Sequence, residues 1–178
     1  MVLTHNELKE LVNNGVITNQ TTGNVIVDIV SIDLHIDDHF MVYDEYPKTP
    51  FTPPAKLKTR TESIGRQGEY ILPPMGKVLT CSEEGIKMPL DLIAFIQAKG
   101  SLARGFLMIH LCDSQIDPGY QGKITFGISN LSDFYYRLIP GMPVAKLLFC
   151  KLAFPVDRGY NGRYQNSGMP TCMQPPKK

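Results

Sequence analysis

Beyond residue 16 the apolar residues of this chain recur with period two or in short runs, and glycine or proline interrupts them every few residues. A chain patterned in this way cannot build long helices. It builds many short strands joined by turns. Ser31-Ile32-Asp33-Leu34-His35-Ile36 is the clearest case, with Ile32, Leu34 and Ile36 on one face. Further strands are expected at residues 24–30, 40–43, 70–72, 77–81, 90–98, 107–111, 122–129, 135–138 and 144–152. The 15 glycines and 14 prolines suit the turns that so many strands require. Residues 48–58, with Pro50, Pro53 and Pro54, read as an extended surface loop.

Helix signals are few. Thr4 and Glu7 fit a capping box, Leu8, Leu11 and Val12 follow as a narrow apolar stripe, and Gly15 suits the left-handed stop. A short helix is expected at residues 101–106. Residues 158–178 are polar and rich in glycine and proline, and read as a flexible closing tail. The whole predicts a single mainly β domain over residues 1–178, a jelly roll or barrel led by a helical segment at 1–17.

Charge and cysteine narrow the function classes. Eighteen basic residues against seventeen acidic leave a formal charge of +1, which argues against a protein held to nucleic acid by its overall charge. No run of about 18 apolar residues points to a membrane span. The N-terminus lacks the pattern of a secretory signal. Cys81, Cys112, Cys150 and Cys172 form no Cys-x-x-Cys pair, so reduced thiols in a cytoplasmic protein are expected rather than a zinc site. His5-Asn6-Glu7 fits half of a zinc deaminase signature, but no Pro-Cys-x-x-Cys follows.

Two segments could carry chemistry. In Lys99-Gly100-Ser101-Leu102-Ala103-Arg104 a glycine permits close approach, a serine offers a hydroxyl and two cations flank it. That makes a polyphosphate cradle or an ordinary helix cap. In Gln115-Ile116-Asp117-Pro118-Gly119-Tyr120-Gln121-Gly122, Asp117 enters a tight turn. It could orient water as a general base, or bond its own backbone in an Asx-turn.

Read together, the segments resemble the dCTP deaminase and dUTPase superfamily over nearly the whole chain. Residues 3–17 resemble the opening helix of the dCTP deaminase branch, and 31–36 its first motif. Residues 99–104 are similar to the phosphate motif and 115–122 to its Ile-Asp-x-Gly-Tyr-x-Gly motif. Pro140 to Ala145 and Tyr160 to Gln165 resemble the late strand-turn and closing segments. The resemblance implies a distorted β jelly roll of the β-clip type and a homotrimer with shared sites. It further implies a deoxynucleoside triphosphate ligand, dUTP or dCTP, with Mg²⁺ carried on the phosphates and no metal ligand from the chain. Asp117 is then the expected catalytic carboxylate. Lys99, Ser101 and Arg104 are expected to hold phosphates, with Tyr160 and Arg163 closing over them and Gln165 near the ligand. Tyr120, Gln115 and Asp113 belong to the same expected substrate site.

The departures separate two activities. Deaminating members carry a Glu ten residues past the Asp, where this chain has Gly127, and a Ser where it has Gly100. Glycine cannot move a proton, and general acid–base help is worth about 10²–10⁴ in rate. The expectation is therefore a diphosphatase that cleaves dUTP first, or dCTP, to the monophosphate and pyrophosphate. A dCTP deaminase with another proton shuttle, such as Asp113, and an inactive nucleotide-binding relative are the alternatives. Asp113 could also select an amino-bearing base, or be an exposed turn residue.

Overall fold

The computed structural model describes residues 1–44, 47–109 and 114–175. The chain opens with α1 (His5–Asn13), whose first turn is closed by the expected capping box: Glu7 accepts from the Thr4 amide at 2.8 Å and the Thr4 hydroxyl at 2.7 Å. Leu8 is fully buried beneath it.

Strands follow in the order β1 (Ile17–Asn19), β2 (Ile32–Tyr43), β3 (Thr59–Ser63), β4 (Tyr70–Leu72), β5 (Lys77–Lys87) and β6 (Leu92–Ala98). A short helix α2 (Gly100–Arg104) precedes β7 (Leu107–Ile109), β8 (Gln115–Ile116), β9 (Gln121–Asn130), β10 (Tyr136–Leu138) and β11 (Pro143–Lys151). Nine strands form one curled sheet in the order β7-β9-β5-β2-β11-β6-β8, with β1 on β5 and β3 on β2, while β10 and β4 pair separately. Every strand pair described is antiparallel. This is the mainly β, jelly-roll-like architecture expected.

The curl has a local cause. The first half of β2, residues 32–35, pairs with β11, while residues 36–41 pair with β5 and 39–43 with β3. A register shift between Ile36 and Phe40 marks where the strand turns from one layer to the other. Ile32, Leu34 and Ile36 are fully buried, as their alternation requires. Phe40, Phe126 and Phe149 fill the space between the layers.

Two expectations change. Residues 24–30 are not a strand despite five β-branched side chains; only Val27 bridges, to Ile32. The Asp28 amide donates to the Ser31 carbonyl at 2.8 Å, which closes a turn and leaves Ile29 77% exposed. Residues 31–36 and 40–43, read as two strands, form one because the bulge bends β2 without breaking it. His35 and Asp37, on the face opposite Ile32 and Leu34, are buried as well: Glu84 and Lys123 cover them.

Candidate active site

β9 forms the floor of a cavity of about 500 Å³. Alternation along a strand puts Thr125 and Gly127 on one face, and both line the cavity. Leu79 on β5 pairs with Gly127 and extends the floor, and Tyr43 at the end of β2 adds a wall. The opposite side is β8 and the turn after it, which bring Gln115, Asp117 and Tyr120 to the same space.

The turn itself explains how Asp117 is held. The Tyr120 amide donates to the Asp117 carbonyl at 3.2 Å, and Gly119 takes φ of 82°, a conformation that glycine adopts without strain. The Asp117 side chain is not consumed by that turn. Its Oδ1 accepts from Gln115 Nε2 at 2.6 Å, the only partner it has among the described residues. The carboxylate is half-buried at the cavity wall, with Gln115 fixing its orientation. The Asx-turn alternative is thereby excluded in favour of a carboxylate presented to a pocket.

Tyr120 stands beside it. Its hydroxyl donates to the Lys123 carbonyl at 2.6 Å, and its ring meets that of Tyr160 edge-on at 5.8 Å. Burial pushes its phenol up to about 12, so it acts as a neutral donor and wall.

The C-terminal segment lies along this site. Tyr160 donates through its amide to the Pro118 carbonyl at 2.7 Å, and both Tyr160 and Tyr164 line the cavity. Gln165 is used as a clamp: Nε2 donates to the Gly119 carbonyl at 2.9 Å, and Oε1 accepts from the Gln121 amide at 3.0 Å. Ser167 bridges to Gly122, where a side chain would strike the Ser167 backbone. Further on, the Thr171 amide donates to Thr125 Oγ1 at 3.0 Å and the Met173 amide to the Tyr43 hydroxyl at 3.2 Å. Arg163 does not line the cavity; it donates to the Gln174 carbonyl, and its guanidinium lies 6.0 Å from the Tyr164 ring centre.

Lys99, Ser101 and Arg104 lie elsewhere. Lys99 Nζ meets Asp33 Oδ2 at 2.5 Å, Arg104 donates to the Gly100 carbonyl at 3.1 Å, and Ser101 is exposed. Strand register measures the gap. Gln115 pairs with Phe95 in antiparallel β6 and β8, so Asp117 and Lys99 lie in opposite directions from that pair. At about 3.3 Å per residue they are roughly 20 Å apart. Asp113 lies outside the described residues, as do His110 and Cys112.

Further along the same face of β9, outside the cavity lining, Lys123 pairs with the buried Asp37. Burial works against the ionised form of Asp37, but the bond and charge of Lys123, with the Asp38 amide at 2.7 Å, hold its carboxyl below its ordinary value. Cys81 donates to the same carboxylate at 3.7 Å; burial, and then that negative charge, push its thiol up to about 12. Asp37, Asp38 and His39 bring three ligand atoms within 4.8 Å of one another, but Lys123 already neutralises Asp37. Tyr43, Thr125 and residues 171–173 are among the cavity residues that sequence reading missed. Thr125 was within reach of it, since it lies two residues before Gly127 on one strand.

A sequence model of the dCTP deaminase-like family matches residues 2–152. The chain is 29% identical over 181 residues to a "dCTP deaminase, dUMP-forming" of Streptomyces coelicolor, covering 98% of this chain and 95% of that one. It is 32% identical over 161 residues to a dCTP deaminase of Halorubrum lacusprofundi, covering 83% and 77%. In structure it is similar to the 2'-deoxycytidine 5'-triphosphate deaminase of Agrobacterium tumefaciens, with a TM-score of 0.66 and 18% identity. That overlay covers 83% of this chain and 47% of the other, so the chain spans about half of it. With a family match that runs from α1 through β11, this chain belongs to the dCTP deaminase-like family.

Proposed function

We propose that the chain is a pyrimidine deoxynucleoside triphosphate diphosphatase that converts dUTP, or dCTP, to the monophosphate and pyrophosphate. One observation carries this reading. Asp117 and Gly127 line the same cavity, so a carboxylate able to activate water is present and the strand position of the deaminating Glu has no side chain.

In the proposed step Asp117, oriented through Oδ1 by Gln115, takes a proton from water through its other oxygen. The water oxygen attacks the α-phosphorus in line, the bond to the bridging oxygen breaks, and pyrophosphate departs. Mg²⁺ on the phosphates would spread the developing charge. A hard cation takes oxygen ligands, and since Asp33 is already paired with the Lys99 ammonium, the phosphate oxygens rather than the chain would hold the ion. Tyr120 and Tyr160 would exclude bulk water from the reacting centre.

The separation of Asp117 from Lys99 bears on assembly. About 20 Å is far more than the two P–O–P links that join the α- and γ-phosphates. One chain therefore does not bring both groups to one triphosphate. A second copy supplying Lys99, Ser101 and Arg104 to the cavity would complete the site, in keeping with the proposed homotrimer.

A second reading has its own support: the Streptomyces coelicolor relative is named a dUMP-forming dCTP deaminase. The two are separated by measuring pyrophosphate and ammonia from each deoxynucleoside triphosphate. The diphosphatase reading expects pyrophosphate without ammonia, and expects Asp117→Asn to lower kcat by about 10²–10⁴ with KM little changed. Absence of pyrophosphate from both dUTP and dCTP, or an Asp117→Asn variant with unchanged turnover, overturns it. Ammonia from dCTP establishes the second reading, and saturable binding without products establishes an inactive relative.

A further inference from the structure

A pair of polar side chains in the cavity takes no part in the proposed step. Thr125 on β9 and Thr171 in the C-terminal segment both line it, and each is half-buried. Their Oγ1 atoms lie 3.0 Å apart, and either can donate to the other. The Thr171 amide also donates to Thr125 Oγ1 at 3.0 Å, which fixes the two residues against each other. Leu79 and Gly127, beside them on the floor, carry no polar side-chain atom.

A hydroxyl has one hydrogen to donate and two lone pairs with which to accept. The pair therefore holds two hydrogens, and one of them lies between the two oxygens. When Thr125 donates to Thr171, Thr171 turns its own hydrogen outward. Thr125 then keeps one lone pair, because the Thr171 amide takes the other. When Thr171 donates to Thr125, both Thr125 lone pairs are taken, the Thr125 hydrogen turns outward, and Thr171 becomes the acceptor. Rotation of two hydroxyls thus exchanges donor and acceptor while no heavy atom moves. Uracil and cytosine differ by the same exchange. Uracil presents N3–H as a donor beside O4 as an acceptor, whereas cytosine presents N3 as an acceptor beside its N4 amino group as a donor.

The pair also stands where a base would lie. In the proposed step Asp117 acts at the α-phosphorus, and it faces the β9 floor from the opposite side of the cavity. The remainder of a nucleotide held there extends toward Thr125 and Gly127.

We infer that the Thr125–Thr171 hydroxyl pair reads the N3 and C4 edge of the base and accepts uracil and cytosine alike. This rests on the nucleoside triphosphate reading above and gives it a substrate class, the pyrimidine deoxynucleoside triphosphates with either a carbonyl or an amino group at C4. Side chains of fixed polarity would be left unpaired against the wrong base and would discriminate by about 10² or more. A reversible pair meets both bases fully bonded.

Calorimetric titration of the full chain tests it, with non-hydrolysable α,β-imido analogues of dUTP and dCTP and with inorganic tripolyphosphate. The unaltered chain should bind the two analogues within about tenfold of each other. A larger preference for either base overturns the inference and leaves the nucleotide reading standing, and that comparison needs no variant to fold. Thr171→Val should weaken both analogues by about tenfold, the loss of one hydrogen bond, and leave tripolyphosphate unchanged. Thr171→Ser, which keeps the hydroxyl, should bind both near the wild-type level. If Thr171→Val binds the analogues normally, or loses tripolyphosphate to the same degree, Thr171 does not read the base and the inference falls. If the unaltered chain binds neither analogue, the nucleotide reading falls and takes the inference with it.

Discussion

Replacing Lys123 by methionine tests the electrostatics of β9 beside the cavity. The side chain keeps most of its apolar stem and loses the charge that neutralises Asp37, whose side chain is only 9% exposed. Removing one partner of a buried pair costs about 3–5 kcal/mol. Here Lys123 is 26% exposed, which weakens the pair, and Asp37 keeps the Asp38 amide at 2.7 Å. The lower end applies, so we expect a loss of about 2–3 kcal/mol at pH 7. For a chain of this size that is a fall in Tm of roughly 5–10 °C. The pH dependence carries the sharper signature. In the wild type the Asp37 value is depressed, so its stabilisation is present above the unfolded value near pH ~4 and is lost as pH falls through the folded value. Without Lys123, burial dominates and raises Asp37 above its unfolded value. Its ionised form then destabilises the variant at neutral pH, and protonation relieves this as the pH falls. The gap in Tm between the two proteins should therefore narrow from pH 7.5 to pH 4.5 when followed by circular dichroism. A variant whose Tm stays within about 1 °C of the wild type across that range would show that Lys123 does not stabilise Asp37.

Two further outcomes follow from neighbouring residues. Gly127→Glu returns a proton carrier to the cavity that Asp117 also lines, so ammonia release from dCTP should rise by about 10² or more; a variant that binds nucleotide and releases none would show that other groups are also missing. Cys81, buried and with its thiol pushed up to about 12, should resist a thiol reagent at pH 8 while Cys150 and Cys172 react, as read by peptide mapping; modification of Cys81 without unfolding would contradict its burial.

How much of the molecule was legible depended on whether the signal was local. The Thr4–Glu7 cap and the alternation of Ile32, Leu34 and Ile36 are contained within a few residues, and the fold keeps both. Residues 24–30 misled because β-branched side chains favour a strand only when a neighbouring strand pairs with them. The Asp28–Ser31 turn, with the Lys146 bond to Asp28, takes that segment out of the sheet. The site divided in the same way. Asp117, Gln115 and Tyr120 lie within six residues of one another and emerged together. Tyr43, Thr125 and Thr171 are distant in sequence and meet only where β2, β9 and the C-terminal segment converge.

From the order of residues alone came the strand-rich class, the leading helix, the motif set with its missing Glu, and the identity of Asp117 as the carboxylate to watch. Periodicity, capping and motif spacing are short-range properties, written in the chain before it folds. Three-dimensional packing alone decided that Gln115 rather than the backbone holds Asp117, that Lys123 neutralises a buried Asp37, and that Lys99 lies beyond the end of β6 remote from Asp117. Each of those depends on strand register and on which carboxylates lose water, and both are settled only when distant strands pair.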